Sequence, residues 1–145
     1  MAIYNYRRGS TNTTNLTKEQ LLQLEHATFS GAEYLLSIAN HSTIQDKLKN
    51  IYPGNLTKVF GISSLSTIAT RLSLIYEGMP RSSRNSVVTA AKDAVKNFSD
   101  IFNNADSNGA KLVTVNITYY ELFNATTGVT SLTLPVKVTA TRYHK

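Results

Sequence analysis

Apolar residues recur along the chain in two rhythms, a helical one up to about residue 103 and an alternating one after residue 110. The clearest helical stretch runs from about Ser83 to Asn103, where Val87, Val88, Ala91, Ala94, Val95, Phe98, Ile101 and Phe102 follow an i, i+1, i+4, i+7, i+8 spacing. Lys92, Asp93, Lys96, Asn97 and Asp100 fill the opposite face. Phe98 and Phe102 should therefore point into the core, and Asn104–Gly109 should break the chain. Thr17-Lys-Glu-Gln20 is a capping box, hydroxyl first and Gln three residues on. It opens a helix predicted to reach about Asn40, with Gly31 as a place where it kinks or divides. A second box, Ser42-Thr-Ile-Gln45, opens a short helix with Ile44, Leu48 and Ile51 on one side, closed by Tyr52-Pro53-Gly54. Residues 55–76 read as helix again, in two apolar groups around Val59 and Leu72, ended by Gly78-Met-Pro80.

The alternating rhythm predicts a hairpin. Val113, Val115, Ile117 and Tyr119 share one face of a strand over 111–123. Leu132, Leu134, Val136 and Val138 share the matching face of a strand over 130–142. Asn124–Gly128 is the turn. Pro135 has no N–H for a ladder, which makes its strand an edge or a bulged one. At the other end of the chain, residues 2–7 read as a short strand and Gly9–Asn15 as a flexible polar linker. Two strands alone are marginal, so residues 2–7 should complete a small sheet beside 111–123 with the helices on its apolar face. The expected fold is a single α+β domain over 1–145: an N-terminal arm and linker (1–16), about four helices (17–104) and a C-terminal antiparallel hairpin (110–143).

Composition changes that picture in one respect. Only 17% of residues are charged, and 18 Thr, 14 Ser and 13 Asn supply the polarity instead. Such a surface repels its copies weakly, as a self-associating subunit requires. The arm adds a second argument. Ile3, Tyr4 and Tyr6 are too apolar to sit in water, and a strand on a tether can be donated to a neighbour's sheet. The chain shows no secretory leader and no ~20-residue apolar span, which leaves the localisation unknown and favours a virion or the cytoplasm.

Candidate chemistry is sparse. Cysteine is absent, and His26, His41 and His144 lack metal-ligand spacing. Glu19, His26 and Glu33 fall on one helix face, where a plain surface stripe is expected. No nucleophile motif, Gly-rich phosphate loop or carboxylate pair is present. The reading is a protein without catalytic residues, cofactor or small-molecule substrate. A net charge of +6 leaves nucleic acid as an alternative partner. Its candidate contacts are Arg7, Arg8, Arg71, Arg81 and Arg84. Arg81 and Arg84, with Ser82 and Ser83, open the clearest helix, where a phosphate would offset the unfavourable placing of cations at an N-terminus. Residues 56–72, Leu-Thr-Lys-Val-Phe-Gly-Ile-Ser-Ser-Leu-Ser-Thr-Ile-Ala-Thr-Arg-Leu, resemble the helix-turn-helix of small repressors, which implies DNA contact through the second helix. An ordinary helix entered through Gly61 explains the same residues.

Seven Asn-x-Ser/Thr sequons occur, at Asn12, Asn15, Asn40, Asn55, Asn97, Asn116 and Asn124. Helix capping by Asn15, Asn40 and Asn55 is expected to explain part of that number. The leading functional expectation is a non-enzymatic, self-assembling homo-oligomer, a viral or cell-surface coat subunit. The alternative is a nucleic-acid-binding protein.

Overall fold

The computed structural model describes residues 2–37 and 41–145. A strand comes first: β1 (Tyr4–Thr17), then α1 (Lys18–Leu36), α2 (His41–Leu48), α3 (Pro53–Phe60), α4 (Leu65–Gly78), α5 (Arg81–Ser107), β2 (Leu112–Asn124) and β3 (Thr130–His144). The three strands form one antiparallel sheet in the order β1-β2-β3. All five helices are inserted between its first two strands. Helix α1 packs on α5, and α5 lies against β3. The fold is mixed α+β, and its buried apolar residues join helices and sheet in a single cluster.

The largest departure from the sequence expectation is at the N-terminus. No polar linker separates a short strand from α1. Residues 4–17 form a single strand paired along its length with β2, from Tyr4 opposite Asn124 to Thr17 opposite Leu112. Strand pairing at 4–8 was legible; pairing at 11–17 was not, because Gly9, Asn12 and Asn15 disfavour strands and no apolar alternation runs through the threonine positions to signal one. The Thr and Asn side chains explain the outcome. Thr11 and Thr118 hydroxyls lie 3.0 Å apart, Thr13 donates to Asn116 Oδ1 at 2.6 Å, and Thr114 donates to Asn15 Oδ1 at 2.6 Å. This row of cross-strand bonds supplies what local propensity lacks. Both ends are pinned by burial, Leu16 completely and Tyr4 to 7% exposure. Gly78 at the end of α4 leaves room for the Ala2 carbonyl and the Tyr4 ring, which a side chain there would strike.

Thr17 then closes β1 and caps α1. Its hydroxyl accepts from Gln20 N–H at 3.2 Å, and Gln20 Oε1 accepts from Thr17 N–H at 2.9 Å, the predicted capping box. Helix α1 runs unbroken through Gly31, whose missing side chain admits the Phe60 ring and Leu134. It ends at Leu36, with Ser37 as its C-cap; the expected extension over 38–40 lies outside the described residues. Helix α2 buries Ile44 and Leu48, with Ile51 just beyond its end, as the spacing predicts. Pro53 then opens α3 at its first turn, where a missing N–H costs nothing.

Residues 55–76 are not one helix. Gly61 takes the left-handed conformation, φ 81°, and caps α3; Ser64 accepts from Thr67 N–H and starts α4. The helices thus number five among the described residues. The stretch Pro53–Gly78 is apolar and long enough for a membrane span only if continuous. It is divided into helices of 8 and 14 residues, each short of the ~20 residues a crossing needs. Helix α5 runs past the expected break to Ser107, because Ala105 is still buried and Asp106 binds Lys18 at 3.0 Å. Phe98 is fully buried; Phe102 is only half-buried.

In the hairpin, β3 is both an edge strand and a bulged one. Thr118 pairs with Lys137 and Tyr119 with Pro135, so Val136 is extra. Directly across β2, Gly9 and Ser10 together oppose Tyr119. Strand β2 is therefore one residue short against both neighbours at the same level. Its buried positions shift from odd (Val113, Val115, Ile117) to even (Leu122) there. Val136, expected inside, is only partly buried, and Pro135 takes its place.

Candidate functional site

Five arginines were singled out from the sequence, and the structure does not bring them together. Arg7 is committed to the sheet: Nε donates to Glu121 Oε1 at 2.8 Å, Nη2 donates to the Gly128 carbonyl at 2.9 Å, and the guanidinium lies 4.3 Å from the Phe123 ring centre. It ties β1 to the hairpin turn. Arg71, the only cation of α4, donates to the Ser131 carbonyl at 2.8 Å and fixes α4 to β3. Arg84 donates to the carbonyls of Met79 and Leu35 and covers the Tyr76 ring at 4.3 Å. Leu35 and Met79 lie at the C-terminal ends of α1 and α4, where a cation is favoured by both helix dipoles. Arg84 thus has a structural use that an N-terminal position does not suggest. Arg8 and Arg81 are exposed and make no hydrogen bond or ion pair among the described residues.

Residues 56–72 do form helix, turn and helix. The outward side of α4, however, presents Ser66, Thr70, Leu74 and Glu77. None is a cation, and Arg71 is turned to β3.

The stripe Glu19, His26 and Glu33 does not gather around a centre. His26 Nε2 lies 2.9 Å from the Lys47 carbonyl, and Glu33 pairs with Lys92 at 3.4 Å. No group of three His, Asp or Glu side chains suited to a metal occurs among the described residues. Two titrating groups are shifted. Desolvation raises Glu25 above the usual carboxylate range, against a hydrogen bond from Ser99 and the nearby His26. Desolvation also pushes the Tyr119 phenol up to about 12; its hydroxyl donates to the Lys58 carbonyl at 2.5 Å.

The sequon asparagines are mostly in structural use. Asn55 is buried inside α3, bonded to Gln23, rather than standing before a helix. Asn15 lies in β1. Asn97 accepts from Val138 N–H, Asn116 from Thr13, and Asn124 holds the turn through the N–H groups of Thr126 and Thr127. Asn40 lies outside the described residues. Asn12 alone of the six described is exposed without a side-chain bond.

What the fold presents is a sheet surface. Of the expected assembly arm, Ile3 is exposed, Tyr6 stacks on Tyr120 at 5.0 Å between ring centres, and Tyr4 is in the core of its own chain. The two tyrosines are thus satisfied without a neighbour, whereas Ile3 is not. Nor is the edge of the strand they belong to. β1 pairs on one side only, over 14 residues, and holds no proline or lysine. Its outward row Thr11, Thr13 and Asn15 continues across β2 as Thr118, Asn116 and Thr114 and reaches Lys137, Thr139 and Arg142 on β3. Sequence reading missed this grid because it took half of it for a linker. The alternation Thr11-x-Thr13-x-Asn15 against Thr114-x-Asn116-x-Thr118 was the available signal. No protein-family model, no curated protein and no solved structure matches the chain.

Proposed function

We propose that this protein is a non-enzymatic subunit that self-assembles through its sheet, as the subunit of a viral or cell-surface coat does. The carrying observation is the free edge of β1. A long strand with one side unpaired, holding no proline or lysine and guarded only by Arg8 and the bulge at Gly9–Ser10, is a template for another strand over its 11–17 half. The low-charge Thr and Asn grid beside it adds a face on which copies meet without strong repulsion. Donation of a tethered arm has no part in this reading, since Tyr4–Thr17 belongs to its own chain's sheet. The test is light scattering across a concentration series, for the wild type and for Asn12→Lys, an exposed position of β1 whose side chain makes no hydrogen bond among the described residues. The wild type is expected to oligomerise, and the charged variant to stay monomeric with an unchanged circular dichroism spectrum. A wild type that remains monomeric at its highest soluble concentration would sink the reading.

Nucleic-acid binding is a second reading, favoured by one observation: the 56–72 segment adopts two helices joined at a left-handed Gly61. Of the five candidate arginines, Arg8 and Arg81 are the two left exposed and without a partner among the described residues. Arg8→Ala with Arg81→Ala should then lower the slope of log affinity against log salt by about two phosphate contacts. Absence of any salt-sensitive binding to DNA or RNA removes it.

A further inference from the structure

The two faces of β1 are treated differently by the rest of the chain. Thr11, Thr13 and Asn15 each hydrogen-bond to a side chain of β2. Ser10, Asn12 and Thr14, which alternate with them, have no side-chain partner among the described residues. Yet these three stand on the inward side. Asn12 lies opposite buried Ile117, and Thr14 opposite buried Val115. On the face that carries Ser10, Asn12 and Thr14, β1 is apolar only at Leu16 and polar through its middle up to the bulge at Gly9–Ser10, beyond which Tyr4 and Tyr6 lie on the other face. The helix layer stops short of that middle. A groove of about 600 Å³ remains there, with Ser10, Asn12 and Thr14 on one wall and Thr57 and Lys58 of α3 on the other, and with Tyr119 and Glu121 at its floor.

We infer that this groove binds a neutral, polyhydroxylated ligand, a short oligosaccharide. Its volume falls in the range of small-molecule sites. Its chemistry is hydroxyl and amide, groups that both donate and accept, as sugar hydroxyls require. Its charges are one ammonium and one carboxylate, and Glu121 is already engaged by Arg7. An anion would meet that carboxylate and find a single lysine, so a phosphate or sulfate is disfavoured. Alternate residues on a strand are ~6.8 Å apart, and Ser10 to Thr14 therefore spans ~13 Å, longer than one sugar ring. The Tyr119 hydroxyl is locked onto the Lys58 carbonyl, which fixes α3 against the floor and keeps the groove formed without ligand.

Amide chemical shifts, followed while maltotriose, cellotriose and chitotriose are titrated separately, test the assignment. Inorganic phosphate and sialyllactose serve as anionic comparators. At least one neutral trisaccharide should perturb residues 10–14, 54–61 and 119–121 together. Asn12→Ala with Thr14→Val should weaken that binding about tenfold or more, the loss of two hydrogen bonds. The opposite-face pair, Thr11→Val with Thr13→Val, should leave it unchanged. Thr57→Leu, which fills the groove from the helix side, should weaken it as well and decides the matter if the strand variant fails to fold. The inference is overturned if no trisaccharide shifts these amides, if phosphate shifts them more strongly, or if both strand pairs weaken binding equally.

Discussion

Helix α5 and strand β1 are the two elements that frame the fold, and they are held in opposite ways. Helix α5 buries seven residues of its own, from Val87 to Ala105, on one stripe. Its sequence specifies both its shape and the side it presents. β1 buries only Tyr4 and Leu16 in 14 residues. Between them it is kept in place by a backbone ladder and by hydroxyl and amide bonds whose partners lie about 100 residues away. An element that carries its own apolar period is stable through burial. One that borrows its pattern from a neighbour is stable only while that neighbour is in register.

The largest effect should come from the self-patterned element. Phe98→Ala should destabilise the protein by about 3–5 kcal/mol, read from denaturant unfolding, since it empties a fully buried site. Leu16→Ala should instead release β1 preferentially, so that amides 11–17 exchange faster than those of α5 in native-state hydrogen exchange. If α5 and β1 lose protection together in Leu16→Ala, the contrast between them is void.

Tyr119 tests the floor between the two. Its pKa is raised from 10 to about 12, so the unfolded chain loses the phenolic proton first. Stability is fully retained below pH 10 and falls as pH rises from about 10 to about 12, by at most ~3 kcal/mol. Tyr119→Phe should remove that alkaline loss, leaving a smaller, pH-independent cost from the missing hydrogen bond. An unchanged pH profile in the variant would show that another group titrates.

The smallest effect belongs to the junction. Thr17→Ala deletes the hydroxyl that caps α1 at the last residue of β1, and should cost ~1 kcal/mol in denaturant unfolding. A markedly larger loss would mean that β1 and α1 are coupled more tightly than one cap allows.

The same contrast decides what was legible in the sequence. Capping at Thr17, the hairpin turn at Asn124–Gly128 and the burial of Phe98 all follow from local signals, and each is present. The length of β1 was not legible, because Gly9–Asn15 has linker composition and becomes strand only opposite Thr114–Thr118. The break at Gly61 was legible only through the helix-turn-helix resemblance, because the apolar spacing itself continues on both sides of it. Of the candidate arginines, sequence proximity grouped Arg7 with Arg8 and Arg81 with Arg84, but the fold uses Arg7 and Arg84 internally and leaves Arg8 and Arg81 outside. A cation's availability depends on which carbonyls the tertiary structure brings to it. That information is absent from spacing along the chain.

The length mismatch of β2 has an evolutionary corollary. At the level of Tyr119 the central strand is one residue shorter than both flanking strands, and no particular side chain produces that difference. Substitutions at Ser10 or Val136 should leave the bend in place, whereas a side chain at Gly9 would press on Glu121 Cγ and the Tyr119 carbonyl. A single-codon insertion between Thr118 and Tyr119 would abolish the bend, remove the irregularity from both ladders at this level and turn the phenol of Tyr119 to the opposite face, away from α3. Descendants of this chain should therefore vary in the letters of this region, Gly9 apart, while conserving its count.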